Sequence, residues 1–174
     1  MSLTNAPFLD GETLILRGPE KRDIEPILLF LQDAKRAKGF GHIPERGKAW
    51  RWFAAMIGHW HIHNYGYFMI ETLEGEVAGI SGIWNPETWP EPEVGWVLFN
   101  GFEGKGFAFK AASMARKWAY EGLGFKTLTS NITPENKRSI KLAERLGARL
   151  ERRYMNCNMG ETLLYRHPTP SDLW

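Results

Sequence analysis

Apolar residues recur with two spacings along the chain, and these spacings predict its strands and helices. Alternating or continuous apolar runs predict seven strands, at residues 13–17, 67–72, 77–84, 93–99, 127–132, 149–155 and 162–166. Helical spacing predicts four helices, at residues 23–32, 48–62, 109–121 and 134–146. This order predicts a mixed α/β (α+β) domain with an antiparallel first half and two crossover helices in its second half.

Local signals place several boundaries. Asp23 is a suitable N-cap for the first helix. Thr133, Pro134 and Glu135 predict the start of the fourth helix, because they supply a hydroxyl N-cap, a proline at the first helical position and an acid in the first turn. Residues 168–174 contain two prolines and no periodicity. We therefore expect a single domain over residues 1–167, with a C-terminal tail outside it.

Composition excludes several classes of protein. A chain of 174 residues with 43% hydrophobic and 24% charged residues is typical of one globular domain. A single cysteine, Cys157, rules out an intramolecular disulfide and a cysteine-based zinc cage. No apolar run approaches the roughly 20 residues that span a bilayer, and the first residues lack the pattern of a signal peptide. We expect a soluble, cytoplasmic protein without a membrane partner.

Charge is unevenly distributed along the chain. A net charge of +2 does not indicate a nucleic-acid partner. Residues 52–104 contain seven acids and no Lys or Arg, whereas residues 105–153 contain twelve bases and four acids. One interpretation is that the second half binds an anionic ligand and the first half a cationic one. The alternative is that both halves present solvated faces of mixed sign.

A glycine-rich loop lies between a predicted strand and a predicted helix, over residues 94–108. Such a loop at a helix N-terminus suits phosphate, because free N–H groups and the helix dipole both attract anions. A Walker A loop is excluded, since Phe107 and Ala108 stand where Lys and Ser or Thr are required. A dinucleotide fingerprint is also excluded, because its third glycine would be Phe109. The acyl-CoA pyrophosphate pattern Gln/Arg-x-x-Gly-x-Gly/Ala matches at Gly106 and Ala108 but not at its first residue, Glu103.

The chain resembles the GNAT superfamily of N-acetyltransferases, most closely the branch of ribosomal-protein serine and alanine N-terminal acetyltransferases. Besides the loop, the resemblance is carried by residues 13–17 followed by Asp23, and by residues 93–98, 133–139 and 146–148. It implies a mostly antiparallel central sheet of about seven strands, splayed between its fourth and fifth strands, with about four helices on its faces.

The resemblance also implies how acetyl-CoA, the acyl donor, is held in that gap. It implies that backbone groups of Val97, Leu98 and Phe99 pair with the pantetheine arm and that Asn136 contacts the cofactor. The amides expected at the pyrophosphate are those of Gly104, Lys105, Gly106, Phe107 and Ala108.

Two residues are candidates for catalysis. Glu93 opens the strand beside the gap, where similar enzymes place a carboxylate that accepts the proton of the amine. Ser139 lies one turn after Asn136 and corresponds to a serine near the CoA sulfur in this branch. Ala143 occupies the position of the tyrosine acid found in many members, so that route is closed. Glu103 is expected to point away from the phosphates.

Candidate acceptor-binding residues are Trp89 and Glu91 on a proline-rich loop and His59 on the second helix. An acidic, aromatic-rimmed pocket suits a cationic amine. His59 and His63 have the spacing of a two-histidine metal site, but no carboxylate or cysteine completes the set in sequence, so we expect no metal.

The sequence thus predicts an acyltransferase that moves acetyl from acetyl-CoA to a primary amine, either a protein N-terminus or a small amine. The alternative is a non-catalytic acyl-CoA sensor on the same fold. A nucleic-acid binder that uses the basic second half is a third interpretation. The pattern does not distinguish a monomer from a homodimer.

Overall fold

The computed structural model describes residues 1–174. The strands are β1 (Leu9–Asp10), β2 (Leu14–Arg17), β3 (Tyr67–Thr72), β4 (Val77–Trp84), β5 (Glu93–Leu98), β6 (Thr129–Ile132), β7 (Arg149–Asn156) and β8 (Gly160–Arg166). The helices are α1 (Ile24–Gln32), α2 (Arg46–His63), α3 (Phe107–Glu121), α4 (Lys137–Arg145) and α5 (Pro170–Leu173). The seven predicted strands and four predicted helices are confirmed, and β1 and α5 are additional.

One sheet contains all eight strands, in the order β1-β2-β3-β4-β5-β6-β8-β7. Every neighbouring pair is antiparallel except β5 and β6, which are parallel. Those two strands share a single register pair, Glu93 with Thr129, and then diverge. The predicted splay between the fourth and fifth predicted strands is therefore confirmed, and it lies between β5 and β6.

Helices cover both faces of the sheet because side chains alternate along its buried central strands. In β3, Tyr67 and Met69 join a core cluster with α1 and α2, whereas Phe68 and Ile70 join a cluster with α3. The small residues of α3 are fully buried and let this helix approach the sheet closely; they are Ala111, Ala112, Ala115 and Ala119. None of the helices combines the length and apolar character that crossing a membrane requires.

Two of the predicted N-caps do not cap their helices. Helix α4 begins at Lys137 with Asn136 as its N-cap, since the Asn136 side chain accepts a hydrogen bond from the Ser139 amide at 3.3 Å. Thr133 instead opens a turn, with its carbonyl accepting from the Asn136 amide. Asp23 stands at the start of α1 without capping it, because its carboxylate binds the buried guanidinium of Arg17 at 2.8 and 2.9 Å.

The C-terminal residues are ordered against the domain, whereas the sequence predicts a tail outside it. The Tyr120 hydroxyl donates to the carbonyl of Pro168 at 2.7 Å. Leu173 packs on the core cluster of α3 and α4, and the Trp174 indole donates to Glu121 at 3.1 Å. Periodicity could not reveal these contacts, because each joins the tail to a distant helix.

Candidate active site

A cavity of about 1170 Å³ runs along β5 and into the gap between β5 and β6. The connection between α1 and α2, residues 33–45, forms part of its wall. This connection reaches as far as α4, because a Cβ placed on Gly39 would lie 2.5 Å from Nδ2 of Asn136. We describe the cavity in two halves, one beside Glu93 and the first residues of β5 and one beside the loop from Gly104 to Ala108 that follows β5.

Divergence of β5 and β6 creates the gap. The strands are tied together at one end only, where the Ser130 hydroxyl donates to the Val94 carbonyl at 2.6 Å and the Thr129 amide donates to the Pro92 carbonyl at 3.2 Å. Beyond these contacts, β5 has no strand partner on this side. Val97 and Leu98 both line the cavity there, and the Leu98 carbonyl accepts from the Arg36 side chain at 3.2 Å.

The glycine-rich loop forms the second half of the cavity with an anion-binding geometry. Gly104 and Gly106 have φ angles of +76° and +78°, and neither has a neighbour within 4 Å of where a Cβ would be. Gly106 is the N-cap of α3, and no side chain caps the helix. The first amides of α3, beginning with Phe107 and Ala108, are therefore free to bind phosphate oxygens. The Lys105 side chain does not line the cavity but lies over the Phe102 ring, at 5.7 Å from its centroid.

Glu103 is neutralised by Arg36, a residue that the sequence did not indicate. The two side chains form an ion pair, and Arg36 also donates to the Leu98 carbonyl at 3.2 Å. Burial alone would raise the pKa of Glu103, but the hydrogen bond and charge of Arg36 together with hydrogen bonds from backbone N–H groups outweigh it, and the pKa lies below its usual value. The Nε of Arg36 is buried and has no hydrogen-bond partner. An orphaned cationic donor beside free loop amides fits the pyrophosphate of acetyl-CoA.

Glu93 lies at the other half of the cavity and is 6% exposed. Three N–H groups donate to its carboxylate: the Trp89 indole at 2.9 Å, the backbone amide of Asn131 at 2.8 Å and the side-chain amide of Asn131 at 3.0 Å. Burial raises the pKa of Glu93 to about 7, and these hydrogen bonds limit the rise. At neutral pH this carboxyl group is therefore close to half ionised, as a general base requires.

Ser139 and Asn136 also line the cavity, on the first turn of α4. The Trp96 indole donates to the Ser139 hydroxyl at 3.2 Å, which occupies one lone pair of the oxygen. The hydroxyl proton of Ser139 has no acceptor within the chain and is available to a ligand. Ala143 is fully buried in the core one turn later.

Besides Lys105, three predicted site residues do not reach the cavity. Phe99 is buried against Phe30, and its amide donates to the Ala78 carbonyl at 2.8 Å, on the β4 side of the strand. Glu91 binds the Arg166 guanidinium through two hydrogen bonds, at 2.9 and 2.8 Å.

The third, His59, is an internal structural residue. Its Nδ1 lies 2.8 Å from the Tyr65 carbonyl, and its Nε2 accepts from the Asn85 amide at 2.9 Å. Burial lowers the pKa of His59 to about 4, so the ring is neutral at physiological pH. Both ring nitrogens are satisfied, which leaves none for an acceptor.

Aromatic side chains form the wall beside Glu93, and of these only Trp89 was among the predicted site residues. We call this half the aromatic chamber; its residues are Phe40, Trp52, Tyr67, Trp84, Trp89 and Glu93. Neighbouring rings lie 4.9 to 6.3 Å apart, centroid to centroid. Asn131 was also missed, although an asparagine within a buried strand signals that its amide has a partner.

Five cations border the cavity. They are Lys35, Arg36, Lys38, Arg138 and Arg145. Arg145 lies over the Phe109 ring at 4.8 Å, near the start of α3. Three of these five cations come from the connection between α1 and α2 rather than from residues 105–153, so they do not follow the division of charge along the sequence.

Comparisons with known proteins agree with this geometry. The family model of the GNAT acetyltransferase domain matches residues 13–149. The chain is 32% identical to an acetyltransferase from Agrobacterium tumefaciens str. C58, with a TM-score of 0.83, covering 94% of this chain and 95% of that one.

Two more distant structures share the fold. One is a ribosomal L7/L12 alpha-N-protein acetyltransferase, with 15% identity, a TM-score of 0.76 and coverage of 92% and 93% of the two chains. The other is the ribosomal-protein-S5-alanine acetyltransferase from Vibrio fischeri, with 19% identity, a TM-score of 0.68 and coverage of 95% and 98%.

Proposed function

This chain belongs to the GNAT family of acetyltransferases, and we propose that it transfers the acetyl group of acetyl-CoA to a primary amine by direct attack. The observation that carries the proposal is the position of a buried carboxyl group with a pKa of about 7 in the same cavity as an uncapped, glycine-rich helix start. One half of the cavity supplies a base, and the other supplies donors for phosphate.

Glu93 is the proposed general base. A free alkyl amine has a pKa of about 10 and is a nucleophile only after it loses a proton. A carboxylate with a pKa near 7 accepts that proton more readily than an exposed one with a pKa near 4. Three fixed N–H donors hold the Glu93 oxygens in place, so little reorganisation accompanies proton transfer.

Ser139 is the proposed donor to the departing sulfur. When bound, acetyl-CoA supplies the thioester whose carbonyl carbon the amine attacks. Because the Trp96 indole fixes the Ser139 oxygen from one side, the hydroxyl proton is directed to other acceptors in the cavity. A hydrogen bond is sufficient here, since a thiolate is a far better leaving group than an alkoxide.

The phosphates are proposed to bind the free amides of the loop from Gly104 to Ala108, with Arg36 beside them. Because the Lys105 side chain lies over the Phe102 ring, Lys105 is proposed to contribute only its backbone amide. Asn136 caps α4 beside this region, since its side-chain oxygen accepts from the Ser139 backbone amide.

The test is calorimetric titration with acetyl-CoA, using the wild type, Gly106→Glu and a matched control, Gly75→Glu. Gly75 lies in the exposed turn between β3 and β4 with a φ angle of +86° and open space at its Cβ position. Both substitutions thus carry the same backbone strain, but only Gly106→Glu places a carboxylate at the phosphate loop.

We expect binding to the wild type and to Gly75→Glu, with at least a hundredfold loss for Gly106→Glu, since the added carboxylate repels the phosphates and occupies their space. Release of free CoA thiol with an amine present distinguishes transfer from the sensor alternative. Binding without turnover of any amine would support the sensor. Equal binding by both glutamate variants would refute the assignment of the loop.

A further inference from the structure

The aromatic chamber has a composition that selects among amines. Its walls are rings contributed by α2, β3, β4 and the connections around them. The five Lys and Arg residues that border the cavity lie on the connection between α1 and α2 and on α4, and Glu93 is the only charged residue among the six chamber residues. Glu91 pairs with Arg166 outside it. A ligand in this half therefore meets ring faces and one carboxyl group.

A second polar group, the hydroxyl of Tyr67 from β3, lies over the face of β5 that carries Glu93. Tyr67 is 1% exposed, and its hydroxyl has no hydrogen-bond partner within the chain. A Cβ placed on Gly95 would lie 2.4 Å from this oxygen, so the hydroxyl occupies the space of the missing side chain. Because residues two apart on a strand point to the same face, about 7 Å apart, Tyr67 Oη and Glu93 flank one small volume.

The nearby Asn131 side chain is mostly occupied. One of its N–H groups donates to Glu93 at 3.0 Å, and its oxygen accepts from the Tyr154 hydroxyl at 2.6 Å. Its second N–H is a donor and does not suit an ammonium group. Among the chamber residues, the groups that can accept from an amino group are Glu93 and the Tyr67 hydroxyl.

This inventory excludes three classes of acceptor. An amino acid carries a carboxylate, and the chamber has no cation to pair with it. A peptide terminus carries backbone N–H and C=O groups that need partners when buried. An aminoglycoside carries several ammonium groups, whereas the chamber has one carboxylate. Apolar surface and a single ammonium group fit, since aromatic faces attract both.

We propose that the acceptor is a small monoamine whose amino group is joined to a compact apolar body, such as an arylalkyl or cycloalkyl amine. The amino group lies between Glu93 and the Tyr67 hydroxyl, and the apolar body lies against Trp52 and Trp84. This inference rests on the proposed function, because it names the substrate of the same site.

The first test measures kcat/KM for a panel of acceptors at fixed, saturating acetyl-CoA. Phenethylamine and phenylalanine form the decisive pair, because they differ only in a carboxylate. We expect phenethylamine to be favoured at least a hundredfold. From ethylamine to pentylamine, kcat/KM is expected to rise about fourfold per added methylene. A tetrapeptide with an N-terminal Ser or Ala and an aminoglycoside complete the panel and are expected to be poor acceptors.

The second test uses Tyr67→Phe, which removes only the hydroxyl, with Tyr65→Phe as the matched control. The Tyr65 hydroxyl lies 3.4 Å from the Asn85 side chain and does not border the cavity. We expect Tyr67→Phe to raise the KM for phenethylamine about tenfold, the loss of one hydrogen bond to a charged group. Tyr65→Phe should leave this KM within twofold, and both variants should bind acetyl-CoA as the wild type does.

The outcomes separate the two proposals. Acetylation of the peptide or phenylalanine in preference to phenethylamine would overturn the inference and leave acetyl transfer intact. Binding of acetyl-CoA with no turnover of any amine in the panel would also overturn it. Failure to bind acetyl-CoA would refute the proposed function itself.

Discussion

Replacement of Glu93 by Gln is the perturbation that tests the site most directly. The amide has nearly the same shape, but it cannot accept a proton from an amine. At least one of the three donors to Glu93 loses its acceptor, because one carboxylate oxygen becomes an NH₂ group. The smallest loss occurs when this group faces the Trp89 indole, since the two bonds from Asn131 then remain.

Removal of a general base typically costs 10² to 10⁴ in rate, and we expect Glu93→Gln to lower kcat/KM by that factor. The dependence on pH gives a second readout. Since the base acts when ionised, wild-type kcat/KM should fall below pH about 7 as Glu93 takes up a proton. The variant should lack this limb and keep only the limb that reflects ionisation of the amine. The exposed Glu87→Gln, on the neighbouring loop, serves as the control and should change neither readout.

The pH dependence of the free energy of unfolding tests the raised pKa of Glu93 independently of catalysis. Burial raises the pKa of Glu93 from 4.5 to about 7, so ionising this group in the folded protein costs about 3 kcal/mol relative to the unfolded chain. A raised carboxyl pKa means that the folded state binds more protons, and wild-type stability therefore falls as pH rises from 4.5 to 7. Glutamine does not titrate, so the stability of Glu93→Gln relative to the wild type should increase over this range.

Thermal unfolding between pH 5 and pH 8.5 checks this expectation. A difference in Tm between the wild type and Glu93→Gln that does not change with pH would contradict the raised pKa. A variant that keeps more than a fifth of the wild-type kcat/KM would show that Glu93 is not the base.

Three further perturbations address residues around the site. Arg36→Ala should weaken acetyl-CoA binding at least tenfold by exposing the charge of Glu103 to the phosphates, and adding Glu103→Ala should restore much of it in a calorimetric double-mutant cycle. Tyr154→Phe removes the hydroxyl that holds the Asn131 side chain, and this weakens the hydrogen bond from that side chain to ionised Glu93. The pKa of Glu93 should therefore rise, and the lower limb of the kcat/KM profile should move upward by about half a pH unit. His59→Gln should flatten the loss of stability between pH 6.5 and 4 seen by chemical denaturation, since the folded state keeps His59 neutral while the unfolded chain protonates it.

The strands and helices of this fold could be predicted because each has a periodic pattern of its own. Their starts were harder to place. Both Thr133 and Asn136 are good N-caps, and the sequence does not show which one is used. In the structure Asn136 caps α4 and lies against Gly39, from a connection about a hundred residues earlier. Such contacts depend on tertiary structure and leave no local pattern.

The same distinction explains which site residues the sequence revealed. Glu93, Ser139 and the glycine-rich loop lie within motifs that resemble the family, and all border the cavity. Tyr67 and Trp84 have the pattern of ordinary core residues, and only their packing around a gap makes them a binding wall. Arg36 was hidden for a related reason, since its partner Glu103 is 67 residues away.

The position of the proposed base and the gap arise from one structural feature, the divergence of β5 and β6. Glu93 and Thr129 form the last register pair between these strands. The backbone N–H of Asn131, two residues further along β6, points toward β5, but no carbonyl of β5 accepts it. The amide instead donates to the Glu93 carboxylate at 2.8 Å. Because an unpaired buried N–H is costly, the splay itself provides the donor that holds the base at the edge of the cavity. A strand pair that continued would satisfy Asn131, close the gap and leave Glu93 without this hydrogen bond.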